Sequence, residues 1–188
     1  MLIDLHTHTI ATPHHATWEP DELVRYAQAQ GVQVLSVTDH NTTSQVQAAL
    51  DAGVRHGVTV IPALELDSAF GSKLWHVLIY GVDPAAPAIV ALAASVFERN
   101  SRDAQEIAAY FRQRGHALPW LDTLDRQPTV ADVGHALVKA GVVPQEPGVE
   151  DEAAGTGWIM THLRDLYRPV TVDEAVAVTH REGGLAVL

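Results

Sequence analysis

Apolar runs and amphipathic stretches alternate from the N-terminus to Tyr80. Leu2–Leu5 is a short apolar run that predicts a strand, and a polar loop follows it. Glu19-Pro20-Asp21-Glu22 then opens a helix. Proline fits the first helical position, and acids favour the positive end of the helix dipole. Leu23, Val24, Tyr26 and Ala27 carry its apolar face toward a stop near Gly31. Val32–Val37 predicts a second strand, Thr43–His56 a second helix ending at Gly57, and Val58–Leu64 a third strand. Strand and helix alternating at this spacing predict a parallel sheet wrapped in helices, open or barrel-like.

The pattern then changes. Leu64–Phe70 and Leu74–Tyr80 flank Gly71-Ser72-Lys73 and predict a hairpin. Pro84–Gln113 is alanine-rich and helical, ending at Gly115. From His116 to Pro169, short helical pieces at Val130–Ala140 and Trp158–Leu166 are separated by loops such as Pro144-Gln145-Glu146-Pro147-Gly148, as in a helical insertion. Val172–Arg181 predicts a last helix and Leu185–Leu188 a last strand. Three segments are therefore expected: 1–83 with the strands, 84–170 as helical linker and insertion, and 171–188 as returning helix and strand.

Length and charge narrow the function classes. The 188 residues are 47% hydrophobic, enough for one domain with a substantial core. No apolar run approaches the roughly 20 residues of a membrane span. No basic segment precedes Leu2-Ile3-Asp4-Leu5, so no secretory signal is expected. The chain has no cysteine, which excludes thiolate ligands and leaves imidazole and carboxylate for any metal site; a cytoplasmic location is expected. A formal charge of −11 repels a phosphate backbone, which argues against an extended nucleic-acid surface. A small phosphorylated substrate would need bound cations to reverse the local sign.

Candidate chemistry gathers at strand ends, where parallel α/β folds place their active sites. His6 and His8 share a face of the first strand, because side chains alternate along a strand. The second strand leads into Asp39-His40, the third into Glu65, and the hairpin's returning strand begins Trp75-His76. Four segments thus deliver His or Glu to one rim. Neutral imidazole is the commonest metal ligand, and His-x-His opens several families of metal-dependent hydrolase.

These motifs resemble those of the polymerase-and-histidinol-phosphatase (PHP) family of metal-dependent phosphoesterases. The residues are Asp4-Leu5-His6-Thr7-His8-Thr9, Thr38-Asp39-His40, Ile61-Pro62-Ala63-Leu64-Glu65 and His76-Val77-Leu78-Ile79-Tyr80-Gly81, in the family's order and spacing. Arg99, Arg102 and Gly183-Gly184-Leu185-Ala186-Val187-Leu188 also fit its nucleotide-phosphatase-like branch. The resemblance implies an α/β fold, a distorted (β/α)7 barrel, holding two or three divalent ions (manganese, zinc, iron or magnesium). It implies His6, His8, Glu65 and His76 as ligands, Glu65 bridging two ions, and His40 serving a further ion or the phosphate. His40, Glu65 and Asp39 would be the catalytic groups, Asp4 and Asp39 orienting imidazoles, and Arg99 and Arg102 would contact phosphate.

The chain departs from the family pattern in three places. The loop after the first strand has Pro13-His14-His15 where the family has aspartate, so His14, ahead of His15, is the candidate replacement ligand. Val130-Ala131-Asp132 stands where the branch has an Arg-x-His pair. The family's later Ala-His-Pro and Asp-x-His would fall beyond Leu188, so an incomplete barrel is expected, as fragment or natural truncation, with a strand edge at Leu185–Leu188 open to self-association.

Three functions follow. The first is a phosphoesterase acting on a small phosphate monoester or nucleotide through a metal-activated water. The second is a metal-dependent amidohydrolase, for which Lys73 is the one candidate for a carboxylated lysine. The third is a non-catalytic metal-binding module. His56 and His116 read as helix-end cations, and Trp75 as a candidate for stacking on a nucleobase.

Overall fold

The structure, a computed structural model, describes residues 1–12, 16–71 and 73–188. It divides into two compact units, Met1–Ser68 with Trp75–Val96 and Val170–Leu188, and Ala69–Leu74 with Phe97–Pro169. The divisions fall within the hairpin, within one long helix and between Pro169 and Val170.

The first unit is a mixed α/β layer. Strand β1 (Leu2–Thr7) pairs in parallel with β2 (Val32–Val37), and β2 pairs in parallel with β3 (Thr59–Phe70). The hairpin partner β4 (Lys73–Tyr80) follows β3; β5 (Val170–Thr171) pairs with β3 and β6 (Leu185–Val187) runs antiparallel to β4. The hydrogen-bonded path is β1-β2-β3-β4-β6, and among the described residues it is not closed into a ring. The sheet is therefore an open portion of a barrel. Leu185–Val187 is paired along one edge with Leu78–Tyr80.

Helix α1 (Pro20–Ala29) starts with proline and two acids and buries Pro20, Val24 and Ala27, one stripe at helical spacing. Helix α2 (Val46–His56) ends at Gly57, whose φ of +71° is the left-handed conformation that a side chain would oppose. The helix starts later than Thr43, because the Thr43 hydroxyl instead donates to the Pro84 carbonyl. Val24, Ala27, Leu35, Ala52 and Val58 close a small core between α1, α2 and the sheet. A second core sets Leu64, Leu66, Val77 and Ile79 against the first turns of α3 (Pro87–Arg112) and against Ala175 of α6 (Val172–Arg181).

Two sequence-based expectations need correction here. Glu65 does not end a strand: β3 runs unbroken to Phe70, so the third strand and the first arm of the hairpin are one element. In the second unit, helix α5 spans Asp151–His162, not Trp158–Leu166. Gly155 lies inside this helix and faces Gly134 of α4 (Val130–Lys139), a position where any side chain would strike the Gly134 backbone. Small residues let the two helices approach closely, and tertiary packing overrides propensity. Around that contact Ile107, Phe111, Val133, Leu137 and Ile159 form the unit's core.

Candidate metal centre

The residues that converge all belong to the first unit. Thr7 Oγ1 donates to the Ser36 carbonyl, while the Thr7 carbonyl accepts from Thr38 N, fixing the end of β1 on β2. With Thr7 turned into that pairing, His6 and His8 lie on the other face, their rings 5.1 Å apart edge to face. The β1–β2 register is irregular between Asp4 and Thr7, the local re-aiming a bulge produces beside a site.

Glu65 is the hub. Its carboxylate is 2% exposed, and its Oε2 lies 2.9 Å from His6 Nε2, 3.5 Å from His8 Nε2 and 3.2 Å from His40 Nε2. Its Oε1 lies 2.6 Å from His76 Nδ1. The backbone holds it there: Glu65 N donates to the Asp39 carbonyl, and Asn41 N donates to the Glu65 carbonyl, a one-residue parallel bridge between His40 and Glu65. The His8 and His40 rings stack at 5.2 Å and the His40 and His76 rings meet edge to face at 4.9 Å.

Electrostatics follow from this geometry. Burial alone would raise the Glu65 carboxyl. The His76 hydrogen bond, the charges of His40 and His76 and the His6 hydrogen bond override it, and the pKa falls from its ordinary 4.5 to about 2. His76 is raised, first by its hydrogen bond to Glu65, against burial, with Asp67 and Glu65 charges adding to the rise. Burial raises the Tyr80 phenol, and the Glu65 charge adds to it.

One residue of the site escaped the sequence reading. Asp67 Oδ1 lies 2.8 Å from His40 Nδ1 and 3.6 Å from His76 Nε2, and its Oδ2 accepts from Asn41 Nδ2. The signal was available in strand parity: once β3 is known to continue through Glu65, the residue two further on shares its face. Among the described residues, two groups bring donor atoms within 4.8 Å of one another, His6-His8-Glu65 and His40-Asp67-His76. Imidazole and carboxylate, with no thiolate in the chain, form a donor set that suits divalent cations.

The other sequence candidates fall elsewhere. Asp39 is 1% exposed and accepts from Thr9 N at 2.7 Å, Thr9 Oγ1 at 2.5 Å and Thr12 Oγ1 at 2.9 Å. Its described side-chain bonds brace the loop after β1. Asp4 takes the His6 backbone N–H instead of an imidazole. His14 lies outside the described residues, as does His15. Arg99 and Arg102 are in the second unit, where Arg102 Nη2 sits 3.1 Å from the buried Asp103 carboxylate. Lys73 is exposed at the start of β4. His56 pairs with Asp21 at 3.0 Å at the end of α2, which accounts for it without a ligand role.

A histidine and carboxylate centre beside the strand ends of a partly parallel α/β sheet defines a class, that of metal-site hydrolase folds. Within that class the chain belongs to the PHP domain family, whose model matches residues 4–118. It is 30% identical to the phosphoribosyl 1,2-cyclic phosphate 1,2-diphosphodiesterase of Eggerthella lenta, over all of this chain and 73% of that protein. It is also 30% identical to the 3',5'-nucleoside bisphosphate phosphatase of Chromobacterium violaceum, over 75% of this chain and 50% of that one. The chain thus spans about three quarters and half of these relatives' lengths. Among solved structures, an amidohydrolase from Chromobacterium violaceum with bound sulfate superposes with a TM-score of 0.68 at 24% identity, over all of this chain and 66% of that one. That likeness establishes the α/β fold. No helix among the described residues is long and apolar enough to cross a membrane.

Proposed function

We propose that this chain carries the metal-dependent phosphoesterase centre of a PHP protein acting on a small phosphate monoester or nucleotide. The observation that carries the reading is the convergence of His6, His8, His40 and His76 on the single buried carboxylate of Glu65. Such a set is poor as a structural core, since a buried carboxylate among imidazoles is stable only with protons or cations to share. Both relatives are, by name, enzymes acting on phosphate esters.

In this reading His6, His8 and Glu65 would hold one ion and His40 and His76 would serve a second, with Glu65 between the two groups. Divalent ions bound there supply Lewis acidity, which neutralises phosphoryl oxygens and brings a water near its deprotonation at neutral pH. Glu65 keeps its ligand form because its proton is lost at unusually low pH. Its burial at 2% exposure keeps bulk water off the shared carboxylate, while His6 and His76, about half exposed, form the open side through which substrate reaches the centre. Arg99 and Arg102 as phosphate contacts rest on the family resemblance alone, since Arg102 is held on Asp103.

The test is metal content by elemental analysis after loading with Mn2+, Fe2+ or Zn2+, followed by phosphate release from nucleoside monophosphates and a chromogenic phosphate ester. Stoichiometric metal with phosphate release, both lost in His8→Ala, is expected. Metal without turnover would leave the non-catalytic module, and ammonia release in place of phosphate would make the chain an amidohydrolase.

A further inference from the structure

We infer that Asp67, held by Asn41, is a positioning residue for His40: it accepts the Nδ1–H and so directs Nε2 to the ion centre around Glu65. The inference rests on the metal reading above and names a residue that no motif of the resemblance contains.

Asn41 has φ +55°, the one positive-φ non-glycine residue among those described. Left-handed backbone is unfavourable for a residue with a side chain, so it persists where surrounding bonds over-determine it. Those bonds are present. The Asn41 backbone N–H donates to the Glu65 carbonyl at 2.8 Å, its side-chain Nδ2 donates to Asp67 Oδ2 at 2.8 Å, and its Oδ1 accepts from the Asp67 backbone N–H at 2.9 Å. The amide thus grips Asp67 reciprocally, by side chain and by main chain.

That grip consumes Oδ2 and leaves Oδ1 aimed at His40 Nδ1, at 2.8 Å. On the opposite side of the same ring, Nε2 faces Glu65 Oε2 at 3.2 Å, the oxygen that His6 and His8 also approach. A neutral imidazole carries one proton. A carboxylate fixed at Nδ1 assigns it to that nitrogen, and the Nε2 lone pair is then available to a cation next to Glu65. Carboxylate partners of ligand histidines act in this way, and losing one typically costs 10–100-fold in metal affinity. The alternative is that Asp67 is itself a ligand, since its Oδ1 also lies 3.6 Å from His76 Nε2. The shorter distance to His40 and the locking of Oδ2 by Asn41 favour the positioning role.

Histidine 15N spectra of the Zn2+-loaded protein separate the two, and need no enzyme activity. Positioning predicts that His40 binds through Nε2 and keeps a protonated Nδ1. Zn2+ titration should show Asp67→Ala weakened about 10–100-fold with the number of bound ions unchanged, and Asp67→Asn, which keeps an acceptor, in between. Asn41→Gly removes the clamp at a backbone conformation glycine adopts freely. It should weaken Zn2+ by less than Asp67→Ala, and it carries the test if Asp67→Ala does not fold. Coordination of His40 through Nδ1, loss of one bound ion in Asp67→Ala, or affinity unchanged in both Asp67→Ala and Asn41→Gly would overturn the inference. A wild type that binds no Zn2+ would defeat the metal reading itself and this inference with it.

Discussion

The Tyr80 hydroxyl donates to the Leu5 carbonyl at 2.7 Å, although β4 and β1 are not neighbours in the sheet. The bond fixes the backbone just before His6. β1 is exposed along most of its length, so few other contacts hold it from the Tyr80 side. Tyr80→Phe should cost about 1 kcal/mol in chemical denaturation, the net value of one hydrogen bond. It should also weaken metal binding through His6, while a Tyr80→Phe protein with unchanged metal affinity would show that β1 is held by β2 alone.

The metal-free protein should be most stable between about pH 4.5 and 6.5. Glu65 has a folded pKa of about 2 against an ordinary 4.5, so its contribution is complete above 4.5 and is lost as pH falls toward 2. His76 is raised above its ordinary 6.5, so its contribution is present below 6.5 and is lost as pH rises through the raised value. Urea denaturation in a chelator across pH checks this, and Glu65→Gln should flatten the acid limb. Metal binding runs the other way on the alkaline side, because His76 must release its proton to become a ligand.

What could be read in advance follows from how local each signal is. Strand parity puts His6 and His8 on one face, a two-residue rule. Caps are equally local: Pro20 and Gly57 mark the helix ends seen in the structure. Glu65 and Asp67 both lie in the arm Leu64–Phe70, so strand parity pairs them; what the sequence does not reveal is that Asp67 reaches His40, 27 residues away in the chain. Helix α5 was misplaced for a related reason. Gly155 lies inside the helix and is a contact residue in the fold. The role of Asp39 needed Thr9 and Thr12 in view, about 30 residues away in the chain.

Gly155→Ala tests that contact directly. A Cβ there would meet the Gly134 backbone, which cannot rotate away as a side chain could. Over-packing of this kind costs about 1–3 kcal/mol, so Gly155→Ala should lower the melting temperature, with Gly157→Ala, where a Cβ meets nothing, as the harmless control. Equal effects of the two substitutions would mean that α4 and α5 pack less closely than described.

Asp132 holds the start of α4 by a capping box with Thr129 and a two-point pair with Arg126, at 2.6 and 2.9 Å. Asp132→Ala should destabilise the protein by about 2 kcal/mol, the cap plus a charge-assisted bond. Asp132→Asn should recover the cap and not the ion pair. Thermal unfolding of the two variants separates these contributions, and identical losses would assign the whole effect to Arg126.

Metal removal supplies the last expectation. An ion that binds only the folded state adds about 2.7 kcal/mol when present at 100 times its dissociation constant. On the proposed reading its ligands would come from β1, the residues after β2, β3 and β4, all of which belong to the first unit. Zn2+ or Mn2+ should therefore raise the melting temperature, and a chelator should reverse the rise. Hydrogen exchange should slow in β1 and β3 on metal addition and change little in α4 and α5. Protection spread evenly over both units would show that they unfold as one. A metal effect that survives Glu65→Gln would show that the ions are held somewhere other than on the shared carboxylate.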